Sequence, residues 1–534
     1  MPKKNKKSVP LSTVSIALLR GIKNAADAID STFKPKQIGM VPAILPEGTM
    51  FYRAGKLQPA AWWKFLSPAV PTGVAPLRGQ HPDAVIVFKA GTDWFAAIFG
   101  HGRTLLADAA IDPDFGFQTA IRICDADDLK IMEVRTIETR SRFTRVKVSD
   151  KARVGAFGLD TDTDLLRGIG GTCKNKALCE RAEASGGAIS LAARIQIGDL
   201  PATAKRLRAA RKLPVDEDLE WVGRVVRIVD AAERTRLDAE LEVRLKNGQH
   251  TNIRLALPDT REDDVSIVAR FLAATGPRFS PDPSDYLILK NRRCASLLAR
   301  ARGDRVYLVR EGDDIPLGHH TVYRCLVAEV SVANKTYMLI EGEWFEVNQD
   351  YAKRVRSAVK DMKVWKPTTA LLKWDAAGYP GDGETGYNRN ICSSRTDFAP
   401  LDKKFICSAG VGSQVEPADW ITLDGHLVHV KRRDRDSSGL SHVFAQGLVC
   451  ATLLRNERTF GKKLAEKLPA SHNLAKTKLT AKIFDPTGWN VVFLILGADS
   501  KAPGADIPFF SQVNLRKQAR LIKNLGFGCL LAGA

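Results

Sequence analysis

The chain has 534 residues, too many for one ordinary domain, so two to four domains are expected. Its 44% apolar and 26% charged residues exclude a mainly disordered chain, and nine cysteines in this length exclude a disulfide scaffold. Eighty Lys and Arg against sixty Asp and Glu give a net charge of +20, which favours a polyanionic partner, nucleic acid first, over a generically basic surface.

Lys3, Lys4, Lys6 and Lys7 precede an apolar run that could pass for a signal peptide. Ser12, Thr13 and Ser15 dilute that run, Val14, Ile16 and Leu18 alternate, and Arg20 ends it, so a buried first strand is expected instead. No stretch reaches eighteen uninterrupted apolar residues, and no membrane span is expected. The scattered cysteines read as reduced thiols of a cytoplasmic protein, with Cys173 and Cys179 too poor in nearby His for a zinc half-site.

Ala84 to Phe88 and Trp94 to Phe99 flank Gly91-Thr92-Asp93, a hairpin signal. Trp62, Trp63 and Phe65 read as packing residues, with a base-stacking platform as the sharper alternative. The Gly168, Gly170, Gly171 stretch resembles a phosphate cradle but lacks the Gly-Lys-Ser/Thr ending, so a helix stop and turn is expected. The basic run Lys205 to Lys212 has helical spacing and reads as a solvated face or a phosphate-contact strip. Residues 276–285 read as a linker, and Tyr337 to Val347 as a hairpin turning at Glu341-Gly342, followed by a helix over about 350–362.

The segment from Glu416 to Gln446 carries the most chemistry. Ala418 to Leu423 reads as a strand, Asp424-Gly425 as a turn, His426 to Arg432 as the returning strand, and a helix starts near Ser437 or Ser438. Strand, tight turn, strand ending in lysine, then helix is the local layout of the PD-(D/E)XK nuclease core. Phosphodiester hydrolysis needs a hard cation held by carboxylates and a lysine beside them to orient water or stabilise developing charge. Here Asp419 is the candidate first carboxylate, and His429-Val430-Lys431 occupies the acid-x-Lys position with His in place of the acid.

The register decides which groups meet. A two-residue Asp424-Gly425 loop pairs Trp420 with His429, puts Asp419 on the face away from Lys431 and leaves Glu416 on the face of His429 and Lys431. A three-residue Leu423-Asp424-Gly425 loop, with Gly425 left-handed, pairs Asp419 with His429. The nuclease reading expects the second, or else Glu416 as the metal carboxylate, and needs one of these acids within about 6 Å of Lys431. The bland alternative is an amphipathic hairpin with Lys431 and Arg432 in solvent. His426, His429 and His442 place three of nine histidines in this segment, and Gln446 shares a helix face with His442. From Lys431 to Lys482 there are twelve Lys or Arg against four Asp or Glu, a candidate phosphate-tracking surface that includes Arg432, Arg433, Lys462 and Lys463.

These motifs together resemble a sporadically distributed bacterial family without an assigned function, whose C-terminal motif is similar to a degenerate PD-(D/E)XK site. The resemblance runs nearly end to end, through VSIALLRGIK, FAAIFGHGRTLL, Asp114 to Phe117, Phe157 to Gly171, LIEGEWFEV, EPADWITLDGHLVHVKR, SSGLSHVFAQG and IPFFSQVNLRKQARLIKNLGFG. Its Glu-x-x-Asp, His-x-Lys and Leu-Ser-His-x-Phe-x-Gln elements fall on Glu416, Asp419, His429, Lys431, Leu440, Ser441, His442, Phe444 and Gln446. Ala418 departs from the family pattern, which carries Cys there. The resemblance implies a genome-defence, phage-defence or mobile-element setting. Nuclease cores of this kind often carry a further acid on the preceding helix, a place Glu384 could fill unless it is a surface loop acid.

The expected fold is α/β, α+β overall: a β-rich region over 1–150, a middle α+β region over 151–364, and a restriction-endonuclease-like domain over 365–534 with a mixed central sheet. Val491 to Leu496 is its expected core strand and Leu515 to Leu525 a late amphipathic helix. The expected function is metal-dependent cleavage of nucleic acid, DNA first, endo- or exonucleolytic, with Mg2+ or Mn2+ on Asp419 and on Glu416 or Glu384. His429 is ligand or proton carrier, Lys431 the charge-stabilising group, and His442 and Gln446 phosphate contacts. The rivals are an inactive nucleic-acid-binding module, because His replaces an acid that hard cations prefer, and a protein-interaction scaffold. No GxSxG, HExxH, P-loop or dinucleotide fingerprint occurs in the first 360 residues, which are expected to sense, target or form a homo-oligomer.

Overall fold

The computed structural model describes residues 10–534 except 55–57, 60–66, 71–73, 77, 80–81, 137–141, 162, 248–251, 256–266, 272–295, 311–315, 380–382, 409–411, 434–436 and 506. Trp62, Trp63, Phe65 and the linker expected over 276–285 lie outside the described residues. The protein is α+β and divides into two compact units, residues 1–135, 143–160 and 164–222 in the first, and 136–142, 161–163 and 223–534 in the second. The boundary expected at 150 falls inside the strand Arg142–Ala152, so the first unit runs well beyond it. Among the described residues no helix is long and apolar enough to cross a membrane.

The first unit is built on a ten-stranded sheet. The strand Ser12–Leu19 lies inside it, paired on one side with Asp93–Phe99 and on the other with Ala188–Ala193, with Val14, Ile16 and Leu18 in one core cluster and Ala17 and Leu19 in another. Asp83–Ala90 and Asp93–Phe99 form the expected hairpin around Gly91.

The glycine stretch is neither cradle nor turn; it lies within the strand Asp164–Cys173. A Cβ at Gly168 would stand 2.5 Å from a Glu133 carboxylate oxygen, and one at Gly170 would stand 3.1 Å from Glu183. The bare backbone is what lets these two acids lie over the strand and share Arg145, at 3.0 and 2.7 Å. Cys173 and Cys179 form a disulfide instead of the expected reduced pair, since the turn after the strand brings their Cα atoms to 6.0 Å. The basic run Lys205 to Lys212 overlaps the helix Leu200–Ala210, and two of its arginines are spent within the unit: Arg208 pairs with Asp93 and Arg211 with Asp112.

In the second unit, residues 223–360 form a five-stranded antiparallel sheet and a three-stranded one. The hairpin Lys335–Ile340 and Glu343–Val347 turns at Glu341-Gly342 as expected, both residues adopting positive φ. It leads into helix α1 (Gln349–Lys360).

The rest of the unit holds helix α2 (Gly383–Ser393), strand β1 (Phe398–Pro400), the side hairpin β2 (Ile406–Ser408) and β3 (Ser413–Val415), and strands β4 (Trp420–Thr422) and β5 (His426–Arg432). Helices α3 (Ser437–Asn456), α4 (Arg458–Glu466) and α5 (Asn473–Thr480) follow, then β6 (Asn490–Leu496), α6 (Phe509–Asn524) and β7 (Gly528–Gly533). The sheet order is β1-β4-β5-β6-β7. Its first three strands are antiparallel, and β5, β6 and β7 are parallel, which requires the long helical crossovers between them. Parallel strands covered on both faces read as continuous apolar runs, and VVFLIL in β6 is one. Leu427, Phe493 and Ile495 pack with Leu440 and Phe444 of α3 on one face, while Val428, Val430 and Leu494 pack with Tyr387 and Ile391 of α2 on the other.

The sheet of residues 223–360 is fastened to α6. Val347, Tyr351 and Val355 pack on Phe509 and Val513, and the buried Glu329 carboxylate accepts from the Phe509 and Phe510 amides at 2.7 and 3.1 Å. Burial pushes the Glu329 pKa up, and those amides at a helix start pull it back. Glu329→Ala is therefore expected to cost about 2–4 kcal/mol in denaturant unfolding, and Glu329→Gln about half as much. An Ala variant as stable as the parent would remove this carboxylate from the account of how the two parts are joined.

Candidate functional site

The hairpin β4–β5 adopts the three-residue register. Trp420 pairs with Val428 and Ile421 with Leu427, leaving Leu423-Asp424-Gly425 as the loop. Gly425 has φ +85°, and a Cβ there would stand 3.1 Å from the Trp489 indole, so both backbone and space call for glycine.

Asp419 sits just before β4 and joins several elements. Its amide donates to the Val428 carbonyl at 2.9 Å, and its carbonyl accepts from the Leu401 and Asp402 amides at 2.7 and 2.8 Å. Its side chain is held as firmly. One oxygen accepts from the Val430 amide at 2.7 Å and the other from Asn388 Nδ2 of α2 at 2.8 Å. Asp402, two residues after β1, is thereby drawn beside Asp419, and Glu416 reaches the same place from the end of the β2–β3 excursion. One carboxylate oxygen from each of Asp402, Glu416 and Asp419 lies within 4.8 Å of the others.

Crowded acids raise one another's proton affinity. Asp419 is half-buried by surface area, while its carboxyl is deep among protein atoms. Burial first, then the charges of Glu416, Asp402 and Glu384, push its pKa up to about 8 against the pull of the Val430 amide. Glu416 is raised too, by burial first and by Asp402, while the Lys403 amide and the charges of Lys403 and Lys431 draw it down. Lys431 is thus close enough to act on Glu416, and its ammonium stands 2.9 Å from Glu384 of α2. The second Glu384 oxygen accepts from the Arg432 amide at 3.0 Å. Glu384 and Asn388 are four residues apart on α2, so one helix face serves both the lysine and Asp419.

His429 is not part of this cluster. It is 2% exposed, lies beside Phe493 with ring centroids 6.0 Å apart, and its Nε2 has no hydrogen-bond partner. Burial alone pushes its pKa down to about 3, so it is a neutral ring in the layer facing α3. The alternation expected to bring Asp419 and His429 to one face fails because Asp419 is a bend residue outside β4, free to turn toward α2. His442 is exposed and Gln446 half-buried on α3. Arg433 donates its amide to Leu496, and Lys462 and Lys463 are exposed on α4, Lys463 reaching the Cys407 carbonyl at 2.8 Å.

Neither Asp402 nor Asn388 is among the residues expected here from the sequence. Asp402 follows a three-residue strand and has no periodic spacing to the hairpin, whereas Asn388 is recoverable as the residue one helical turn beyond Glu384. His429→Asp is expected to bury an unpartnered charge against Phe493 and to cost about 3 kcal/mol or more, read as a lower Tm. An unchanged Tm would place that side chain among the acids after all.

No curated protein and no solved structure matches the chain. A family model does, over residues 14–533, nearly the whole length. On that match the chain belongs to DUF6119, a family of unknown function.

Proposed function

We propose that the protein is a metal-dependent nuclease acting on nucleic acid, DNA first, through the site on β4, β5 and α2. The observation that carries this reading is the trio Asp402, Glu416 and Asp419 beside the Glu384–Lys431 ion pair at the end of β5. A helix acid, an acid at the start of a strand and a lysine at the end of its partner strand follow the PD-(D/E)XK layout. The mixed sheet, antiparallel up to β5 and parallel after it, is consistent with a restriction-endonuclease-like core.

The donor set suits Mg2+ or Mn2+: three carboxylates, all oxygen, close enough to share one ion. Asp419's proton affinity, raised by burial first and then by the charges of Glu416, Asp402 and Glu384, would be lowered by a divalent cation held among these carboxylates. Asp402 supplies the acid that the His-x-Lys motif lacks, and the buried His429 biases the site toward no softer metal. When bound, the ion supplies the charge that polarises a phosphodiester and acidifies water. Lys431, held by Glu384, stabilises the negative charge that builds on the phosphate oxygens as the water oxygen bonds to phosphorus and the bridging oxygen leaves with a proton. Asn388 and the Val430 amide orient Asp419. The β2–β3 hairpin links this site to a basic surface: Ser408 donates to Glu457 at 2.6 Å, just ahead of α4. Lys462 and Lys463 are exposed on α4, and basic residues outnumber acidic ones from Lys431 to Lys482, a surface suited to phosphates. The genome-defence setting implied by the family resemblance is compatible with such an activity.

With Mg2+ or Mn2+, the protein is expected to nick supercoiled plasmid, and Lys431→Ala and Asp402→Asn each to slow nicking by about 100-fold or more. DNA affinity in the Lys431 variant should stay within about threefold. Binding without nicking in either metal favours the inactive-module reading, for which the neutral ring at the acid-x-Lys position speaks. Replacing Lys462 and Lys463 by Ala should weaken binding to all sequences alike and flatten the log K against log salt slope by about 0.9 per lost phosphate contact. An unchanged slope would take α4 out of the interface.

A further inference from the structure

Beside the site, Trp374 and Tyr379 lie parallel, with ring planes 2° apart and centroids at 5.4 Å. Both are half-buried, unlike the fully buried Tyr387 and Trp420 of the same layer. Tyr387 meets each of the pair edge-on, at 6.0 and 5.9 Å, and its hydroxyl is tied to the Leu372 carbonyl at 2.8 Å. The Tyr379 hydroxyl accepts from Asn390 of α2 at 3.1 Å. The two rings are therefore fixed in place while keeping surface in solvent.

Their position relates them to the proposed chemistry. The Arg432 guanidinium stands 5.7 Å from the Trp374 ring, and the Arg432 amide is bound to Glu384, the same carboxylate that holds Lys431. The Trp374 indole also lies against Gly497, where a Cβ would come within 3.5 Å, so the platform sits at the carboxyl end of β6 as Lys431 does on β5. Ligands of parallel-stranded sheets gather at those ends.

A rigid, half-exposed aromatic pair with a guanidinium over one ring fits the flat face of a base and the phosphate beside it. Bases inside a duplex are stacked on both faces and cannot use it, so the fitting partner is an unstacked one. We infer that Trp374, Tyr379 and Arg432 form a stacking platform for an unpaired base, making single-stranded DNA, or a strand end or flap, the substrate class. This inference rests on the nucleic-acid reading above.

The test is binding by the full chain in EDTA, where metal-dependent cleavage does not proceed, to a labelled thymidine 20-mer and to a 20-base-pair duplex. The parent is expected to prefer the single strand. Trp374→Ala and Tyr379→Ala should each weaken single-strand binding by about tenfold, with the salt slope unchanged and duplex binding within about twofold. Trp374→Phe, which keeps a ring and the fold, should retain most of the affinity, so a variant that merely misfolds is recognised. A parent that prefers duplex, equal losses on both probes, or Ala variants that bind the single strand normally would each overturn the platform. Failure to bind either probe would overturn the nucleic-acid reading with it. Normal single-strand binding in a protein that never nicks plasmid would leave the platform standing and remove the catalysis alone.

Discussion

The second unit depends on how Asp419 is held. Its backbone joins the end of β1 to β5, and its carboxylate is fixed by the Val430 amide and by Asn388 of α2. An acid so deeply placed is costly unless its lone pairs are satisfied. The two donors hold it in place, while burial first and the neighbouring acids second keep its proton affinity raised. The same backbone bonds bring Asp402 into range. One bend residue therefore decides both the joint between strands and the make-up of the acid cluster.

The second arrangement of consequence is the division of labour on α2. Glu384 holds Lys431 and the Arg432 amide, Asn388 holds Asp419, and Tyr387 and Ile391 fill the apolar layer beneath. Residues four apart on a helix share a face, so a single packing contact places the lysine and Asp419 together. The aromatic pair Trp374–Tyr379 meets Tyr387 of the same helix edge-on. A displacement of α2 would disturb the ion pair, the acid and the platform at once.

Charge is distributed to match. The overall excess of +20 does not by itself locate a partner. In the first unit Arg208, Arg211 and Arg145 are taken up by acids of that unit. On α4 Lys462 and Lys463 are exposed, and α4 is tied to the β2–β3 hairpin that carries the chain from Asp402 to Glu416. Surface basicity is useful to a phosphate chain only where local acids do not already consume it.

Much of the second unit was legible in the sequence. The choice between a two- and a three-residue β4–β5 loop was left to the structure, but the β4–β5 hairpin itself, the core strand β6, helix α6 and the hairpin at Glu341-Gly342 follow from turn chemistry and apolar periodicity, which act over a few residues. So did Asp419, Glu416, Glu384 and Lys431 as candidates, because their types and spacing match what phosphodiester chemistry needs. Local pattern could not say that His429 faces Phe493, since one bend at Asp419 breaks the alternation on which that expectation rested. Nor could it find Asp402, which reaches the cluster through backbone bonds to Asp419 seventeen residues away, or read the glycines at 168 and 170 as room for Glu133 and Glu183. The sequence by itself determined the elements and the inventory of reactive groups, because those depend on neighbours in the chain. Which acids meet, which ring is buried and which cations stay in solvent was decided only by the tertiary structure, because those depend on neighbours in space.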